Sequence, residues 1–212
     1  MNNLRKFTNE AEYTAATLNY PAVSWVTATD VVHFDKTAPA PSYNGDVSIT
    51  YRPESTSSPT RLIYGEDGSG SGSGSAAFTP TRMWVDGVEV TPSATYTFSD
   101  SFDHVVDFEL GDGVAAIPYQ AFSNQKGNLW VFSAVIRSNI TSIGNDAFYY
   151  CNNLSSLTVE AITPPTLGQY ALDSTAIYNY QGSIYVPAES VNAYKAASGW
   201  SAFADLIQPI PA

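Results

Sequence analysis

A self-similar segment near the middle of the chain constrains the fold more than any other feature. Residues 143–159 read Ile-Gly-Asn-Asp-Ala-Phe-Tyr-Tyr-Cys-Asn-Asn-Leu-Ser-Ser-Leu-Thr-Val, and weaker copies begin at Ile117 and Leu167. The three starting positions are 26 and 24 residues apart, a period typical of stacked repeat units. One unit cannot bury its apolar side alone, so the pattern predicts a stack of coils with closed ends.

Each predicted coil combines an apolar turn with a short strand. In the Ile-x-x-x-Ala-Phe portion, a short helical turn would place the apolar residues on one inner face. The alternating residues that follow predict strands near 105–110, 131–135, 156–160 and 183–187, lying side by side in parallel. The predicted repeat core consists of Ile117, Phe122, Leu129, Ile143, Ala147, Phe148, Leu154, Leu157, Leu167 and Leu172.

The pattern Ile-Gly-x-x-Ala-Phe-x-x-Cys-x-x-Leu-x-x-Leu-x-Val at 143–159 resembles the leucine-rich repeat of the BspA type. That family is known from bacterial surface proteins and from phages of gut Bacteroidetes. The flanking copies match in part, and the resemblance covers about residues 105–186. It implies a right-handed solenoid with one strand per coil and no catalytic residues in the repeats. The resemblance concerns the fold, because one fold serves many functions.

Residues 1–36 have the features of a separate N-terminal segment. A capping-box spacing predicts a short helix over Glu10–Leu18, and alternation predicts a hairpin formed by residues 23–27 and 31–34. The segment resembles the N-terminal leader of virion proteins from crAss-like gut phages. It has more large apolar residues than it can bury on itself, so we predict that it docks on another chain. The predicted interface residues are Leu4, Phe7, Tyr13, Leu18, Trp25 and Phe34.

Short alternating segments between residues 37 and 104 predict a second unit. Turns containing Gly, Pro and Asp separate them, and Asp86-Gly87 is typical of a type I′ hairpin turn. This spacing predicts a small β-sandwich, and the order of the segments resembles the immunoglobulin-like module that often precedes BspA-type repeats. The last strand would continue directly into the third unit, residues 105–212. The boundary is therefore expected to be a seam and not a linker.

The end of the chain carries signals for a cap on the stack. Pro187 precedes a helical segment with an acidic residue in its first turn and a basic residue in its last, and Gly199 follows. Its apolar residues would cover the last coil. The chain as a whole is predicted to be mainly β, with an N-terminal helix-hairpin, an immunoglobulin-like sandwich and a short leucine-rich-repeat solenoid with a C-terminal helical cap.

Charge and composition narrow the classes of partner. The 212 residues are 44% hydrophobic, and 9 Lys+Arg against 20 Asp+Glu give a net charge of −11. This charge repels nucleic acid and anionic membrane surfaces, so we expect neither as a partner. The apolar runs are too short to span a bilayer, and the first residues lack the apolar region of a signal peptide.

Residues with catalytic or metal-binding chemistry are few and scattered. The single cysteine, Cys151, cannot form an internal disulfide and is expected to be a small buried residue in the repeat turn. His33 and His104 lie far apart, and an isolated imidazole supplies neither a zinc site nor a catalytic triad. We therefore predict no enzyme activity, no catalytic residue and no cofactor.

Several acidic residues lie close together just before the repeats. They are not spaced as in a twelve-residue calcium loop, so we predict a solvated acidic rim and no metal site. A weak Ca²⁺ site near Asp100, Asp103 and Asp107 stays open at this point. The residues of this group are Asp100, Asp103, Asp107, Glu109 and Asp112.

Three hypotheses about function follow. The first is a bacteriophage virion protein, such as a capsid-decorating or head-fibre protein, that docks on the capsid protein through its N-terminus and forms a dimer or trimer. The second is a bacterial surface adhesin of the BspA type, against which the lack of an export signal argues. The third is a carbohydrate-binding module that uses exposed aromatic residues such as Tyr149-Tyr150 and Tyr178 with Tyr180. A host-surface glycan or protein would be the receptor.

Overall fold

The computed structural model describes residues 45–64, 78–124 and 129–211, together with two short segments near the N-terminus. These segments are β1 (Val23–Ser24) and β2 (His33–Phe34), which pair antiparallel as the predicted hairpin requires. The helix predicted over Glu10–Leu18 lies outside the described residues. Of the six predicted docking residues, Phe34 is described through its backbone alone, and the others lie outside the described residues: Leu4, Phe7, Tyr13, Leu18 and Trp25.

The described chain is mainly β. After β2 the strands are β3 (Val47–Pro53), β4 (Thr60–Arg61), β5 (Arg82–Val85), β6 (Val88–Val90), β7 (Thr95–Tyr96), β8 (His104–Glu109), β9 (Ala116–Ile117), β10 (Leu129–Ile136), β11 (Ser142–Ile143), β12 (Ser156–Val159), β13 (Thr166–Leu167), β14 (Ser183–Val186) and β15 (Ile207–Pro209). A helix, α1 (Val191–Ala196), lies between the 3₁₀ segments Ala188–Ser190 and Trp200–Leu206.

The repeats stack through a parallel ladder in the large sheet. That sheet has the order β15-β14-β12-β10-β3-β8-β5-β6, and its first four strands run parallel. Ala134 pairs with Leu157, and Leu157 pairs with Ile184. Equivalent positions of successive coils therefore lie beside each other, about 4.8 Å apart. This confirms the predicted parallel neighbours near 131–135, 156–160 and 183–187.

A second parallel ladder runs along the other side of the coils. In the sheet β13-β11-β9, Ile143 lies between Ile117 and Leu167. The turns that follow these strands are also bonded from coil to coil. The Phe122 N–H donates to the Ala147 carbonyl at 2.8 Å, and the Phe148 N–H donates to the Ala171 carbonyl at 2.9 Å. Each coil is thus hydrogen-bonded to the next on several sides.

The helical turn predicted in each coil is wrong. The Ala-Phe segments are successive tight turns, in which equivalent residues have positive φ: 54° at Gln120, 54° at Asp146 and 57° at Tyr170. A left-handed residue in every coil interrupts a right-handed helix. The physical reason is that alternate backbone N–H groups in these turns, such as those of Gln120 and Phe122, bond to the neighbouring coil, so they are not available for an intrahelical ladder.

The position of β8 also differs from the prediction. Residues 105–110 were expected beside 131–135, but β3 lies between β8 and β10 and is antiparallel to both. Strand β3 has the same apolar alternation as a repeat strand, with Val47, Ile49 and Tyr51 buried. Because β3 precedes the periodic part of the chain, the period could not place it.

The strands of the predicted immunoglobulin-like unit contribute to the same sheet as the repeats. They form its β6-β5-β8-β3 portion, while β4 and β7 pair with each other separately. The hairpin turn at Asp86-Gly87 has φ values of 51° and 80°, as a type I′ turn requires. The predicted boundary between 104 and 105 falls within β8. The immunoglobulin-like sandwich and the right-handed solenoid stay predictions.

A column of aromatic rings runs through the core. The Phe122 ring lies 5.6 Å from that of Phe108 and 5.5 Å from that of Phe148, measured between centroids. Most of the predicted repeat core surrounds this column, while Leu167 is partly buried and the Leu129 side chain is not described. The predicted core residues with at most 2% exposure are Ile117, Phe122, Ile143, Ala147, Phe148, Leu154, Leu157 and Leu172.

Both ends of the stack are covered. At the first coil, the Tyr64 N–H donates to the Ala121 carbonyl at 2.8 Å, and Phe78 packs on Phe122. At the last coil, Tyr194 and Trp200 are fully buried and donate side-chain hydrogen bonds to carbonyls of residues 161 and 165. The C-terminal segment therefore acts as the predicted cap, and β15 adds a further strand beside β14.

Two glycines allow the coils to approach each other closely. A Cβ atom on Gly168 would lie 2.4 Å from the Asn145 nitrogen and 2.5 Å from the Gly144 carbonyl carbon. A Cβ on Gly144 would lie 2.7 Å from the Pro118 carbonyl carbon. Because these neighbours are backbone atoms, no side-chain rotation can relieve the contact, and the coils would have to separate.

We expect Gly168→Ala to lower the free energy of unfolding by about 3 kcal/mol or more, since it forces two hydrogen-bonded coils apart. Gly113→Ala is a suitable control, because nothing lies within 4 Å of its Cβ position although its φ is +75°. That control should cost about 1–2 kcal/mol. Urea denaturation measures both values, and equal losses would contradict the close-approach account.

Phe148→Ala should lower the free energy of unfolding by about 3–5 kcal/mol, because it removes a fully buried ring from the aromatic column. Tyr178→Ala, at an exposed position, should change it by less than about 0.5 kcal/mol. Chemical denaturation of the two variants tests the phase of the repeat. A loss below about 1 kcal/mol for Phe148→Ala would mean that the column does not support the stack.

Candidate functional site

Cys151 lies inside the stack. Its side chain is fully buried, and its Sγ is 3.2 Å from the Phe122 carbonyl, to which it donates a hydrogen bond. Burial raises the pKa of the thiol well above its ordinary value, so the reactive thiolate is suppressed. The residue closes the repeat turn as the sequence predicted.

The acidic group before the repeats is divided among different partners. Asp103 forms an ion pair with Arg52 at 2.7 Å, and the Asp100 carboxylate lies 3.2 Å from the His104 ring. Asp107 is only 1% exposed, so the prediction of a solvated rim is wrong for this residue. Within the described ranges, no group of three or more His, Cys, Asp or Glu side chains could hold a metal ion.

His104 joins the type I′ turn to β8. Its Nδ1 is 2.7 Å from the Asp86 carboxylate, which also accepts the Val105 N–H at 2.9 Å. Its ring stacks on Phe98 with a centroid distance of 4.6 Å. Burial lowers the pKa of His104, but the hydrogen bond and charge of Asp86 and the contact with Asp100 outweigh it, so the pKa is raised. These contacts give His104 a structural role; the His33 side chain is not described.

A chain of polar contacts, buried at Ser48 and Asp107 and partly exposed at Arg137 and Glu160, connects β8 and β3 with the ends of β10 and β12. The Ser48 hydroxyl donates to the Asp107 carboxylate, and Arg137 Nη2 donates to Ser48 Oγ at 3.2 Å. Arg137 Nη1 in turn pairs with Glu160 at 2.6 Å. Burial raises the pKa of Asp107 to about 6, while Ser48 and Arg137 oppose the shift. A carboxyl with this pKa is a candidate proton donor, but its burial keeps substrates away.

Folding stability should depend on the charge of Asp107. Its folded pKa of about 6 exceeds the unfolded value of about 3.9. The folded state therefore binds the proton more tightly, and stability contributed by Asp107 should fall as pH rises from about 4 to about 6. Asp107→Asn keeps an acceptor for Ser48 and removes the charge, so its stability relative to the natural chain should increase across this window by on the order of 1–3 kcal/mol.

Denaturation curves at pH 4.5 and pH 6.5 measure this difference. Asp103→Asn, which neutralises an exposed carboxylate, serves as the control and should show a much smaller relative change. Parallel stability profiles for Asp107→Asn and the natural chain would contradict the shift.

Tyrosines gather on the turns that follow β9, β11 and β13. We call this set of turn residues the tyrosine ridge, and within it Tyr149 is half-buried while the others are exposed. The sequence had indicated four of its members, but it missed two that stand on neighbouring coils. The ridge consists of Tyr119, Tyr149, Tyr150, Tyr170, Tyr178 and Tyr180.

Three residues of the ridge have an unusual backbone. The φ angles are 62° at Tyr150, 57° at Tyr170 and 58° at Tyr180, and these side chains are 44%, 54% and 63% exposed. A left-handed conformation costs a bulky residue about 1–2 kcal/mol, whereas Gly, Asn or Asp adopts it more readily. Alignment of the coils reveals the unusual residue, because Tyr170 occupies the turn position that Asp146 occupies in the preceding coil.

The centre of the ridge combines rings with carboxylates. The rings of Tyr149 and Tyr150 lie 4.4 Å apart between centroids at an angle of 68°. A hydrogen bond with the Tyr150 side chain raises the pKa of Tyr149, and the charges of Asp146 and Asp173 add to this. Burial and the charge of Asp146 raise the pKa of Asp173. We call these four residues the Tyr149 cluster: Asp146, Tyr149, Tyr150 and Asp173.

Comparison with known proteins supports the repeat assignment. The family model of the BspA type leucine rich repeat region matches residues 89–186 in six copies. The match begins in β6 and ends with β14, so it includes every turn of the tyrosine ridge. Residues 89–186 are therefore similar to the leucine-rich repeats of the BspA type. No curated protein matches the chain.

The described part of the chain gives one further observation about its class. None of its helices is long and apolar enough to cross a membrane.

Proposed function

We propose that this chain is a non-enzymatic recognition protein of the adhesin-like kind, which binds a macromolecular partner through the tyrosine ridge. The observation that carries the proposal is the set of exposed tyrosines held at positive φ. The BspA-type repeats support the class, because in that family the repeats form a display surface without chemistry of their own.

The backbone cost makes these tyrosines informative. At Tyr150, Tyr170 and Tyr180 a smaller residue would fit the turn better. Their exposure means that the rings do not repay this cost by packing in the core. A tyrosine does supply a large, stiff and amphipathic contact surface, which is why the residue is enriched in binding interfaces.

The stack also prepares the ridge for binding. The turns that carry the rings are hydrogen-bonded to the adjacent coils, for example from the Tyr150 N–H to the Asp173 carbonyl at 3.2 Å. A partner would therefore pay little entropy to order this surface. A flexible loop with the same residues would bind less tightly.

Replacing Tyr150, Tyr170 and Tyr180 together by Asn should reduce binding by at least about tenfold, because interface tyrosines dominate binding energy. Asparagine tolerates positive φ, which should offset the loss of the hydrogen bond from the Tyr180 hydroxyl to the Ala202 carbonyl (3.1 Å), so the variant should be about as stable as the natural chain. Binding of the labelled chain to washed bacterial envelopes and to purified phage particles is the measurement.

Phe102→Asn combined with Ile162→Asn is the control, since both residues are exposed and lie off the ridge. The control should bind as the natural chain does. Full binding by the tyrosine variant, or an equal loss in both variants, would refute a role for the ridge.

The finer hypotheses about location depend on residues 1–36. A virion protein would dock there on a capsid protein and form a dimer or trimer, whereas an adhesin would reside on the bacterial surface. The virion role rests on the resemblance of the leader and stays a prediction. Mass spectrometry of purified particles against washed envelopes separates the two locations.

Deleting residues 1–36 should leave a folded chain, because the deletion ends before β3. If the virion role is right, the shortened chain should no longer be incorporated into particles. Incorporation at the normal level would exclude docking through this segment.

A further inference from the structure

We infer that the tyrosine ridge docks a protein surface rich in arginine and lysine, with a cationic side chain seated at the Tyr149 cluster. This inference rests on the function proposed above and adds the chemical class of the partner. It is carried by the arrangement of rings and carboxylates on the turns and by the distribution of charge along the repeats.

The geometry of the Tyr149 cluster suits a cationic side chain. The Tyr149 and Tyr150 rings stand at 68° to each other, so one presents its edge to the face of the other. The face of an aromatic ring carries negative potential, which attracts a cation placed over it. Tyr150 is 44% exposed and is therefore open to a partner.

The sequence around these rings is acidic. From residue 138 to residue 194 the sequence has no lysine or arginine, although Asp146, Glu160, Asp173 and Glu189 lie in this stretch. Glu160 pairs with Arg137, but in the described ranges neither Asp146 nor Asp173 forms an ion pair. Burial and the charge of Asp146 both raise the pKa of Asp173, as expected for a carboxyl group with a like charge nearby.

A negatively charged surface discriminates between classes of ligand. Nucleic acid and acidic glycans would bring more negative charge to this surface and are repelled by it. A guanidinium or ammonium group would relieve the repulsion between the carboxylates and also stack on a tyrosine ring. Complementary potentials of this kind fix partner choice and speed association. Arginine fits best, because it combines a planar ring contact with paired hydrogen bonds.

The test uses hexaarginine as the probe and measures its affinity for the full chain by isothermal titration calorimetry at low and physiological salt. Tyr150→Asn keeps every charge and removes one ring, and it should weaken binding by about fivefold. Phe102→Asn is the control, because it also removes an exposed aromatic ring and lies off the ridge. It should weaken binding by less than about twofold.

A second pair of variants tests the carboxylates. Asp146→Asn with Asp173→Asn should weaken hexaarginine binding by about fivefold or more. Asp112→Asn with Glu189→Gln changes the net charge equally at exposed positions elsewhere and should have a smaller effect. Equal effects of the two pairs would show attraction to the overall negative charge only, and would overturn the inference.

Neutral dextran oligosaccharides form the other arm of the titration. Binding of dextran that depends on Tyr150, without such dependence for hexaarginine, would replace the inference with a glycan site. Binding to envelopes or particles that depends on the ridge, together with hexaarginine binding that does not depend on the Tyr149 cluster, would support the recognition function and refute the cationic partner. If envelope or particle binding does not depend on the ridge and hexaarginine binding does not depend on the Tyr149 cluster, the proposed function is refuted as well.

Discussion

The contact between successive coils is the constraint on which the rest of the structure depends. Backbone groups of each turn bond to the next coil, and glycines at Gly144 and Gly168 permit the approach. This spacing places Phe108, Phe122 and Phe148 in one column and sets the turns that hold the surface tyrosines. The same bonding holds Tyr150 and Tyr170 in a conformation that a free loop would abandon. Core and surface therefore share one cause.

How much the sequence could predict differs between the core and the surface. The period located Ala147 and Phe148 in the core, because stacked coils must repeat their buried positions. It could not place β3, whose partners on both sides are distant in sequence. Asp107 looked like a surface residue because only the cross-strand neighbours, Ser48 and Arg137, reveal that its position is covered. A sequence pattern describes one strand, whereas the burial of a residue depends also on the neighbouring strands.

The surface tyrosines were predicted in part for a similar reason. Tyr149 and Tyr150 attract attention as a pair, but Tyr170 follows Gln169 in a segment of ordinary composition. Residue preferences point away from tyrosine in a left-handed turn, so local propensity gives no signal. The signal is present only when the coils are aligned and Tyr170 is compared with Asp146. Sites on repeats are thus best sought at positions where a coil departs from its neighbours.

The central place of β3 has a mechanical consequence. Under the proposed function the chain would carry tension, and tension from the N-terminal side would enter the large sheet through β3. This strand is bonded along both edges, to β8 and to β10. Hydrogen bonds in antiparallel pairs run across the strands, so a pull along β3 loads many of them together instead of one after another. Strand β3 lies between β8 and β10 and is not part of the repeat period. The same position makes it a strong attachment point for a tether.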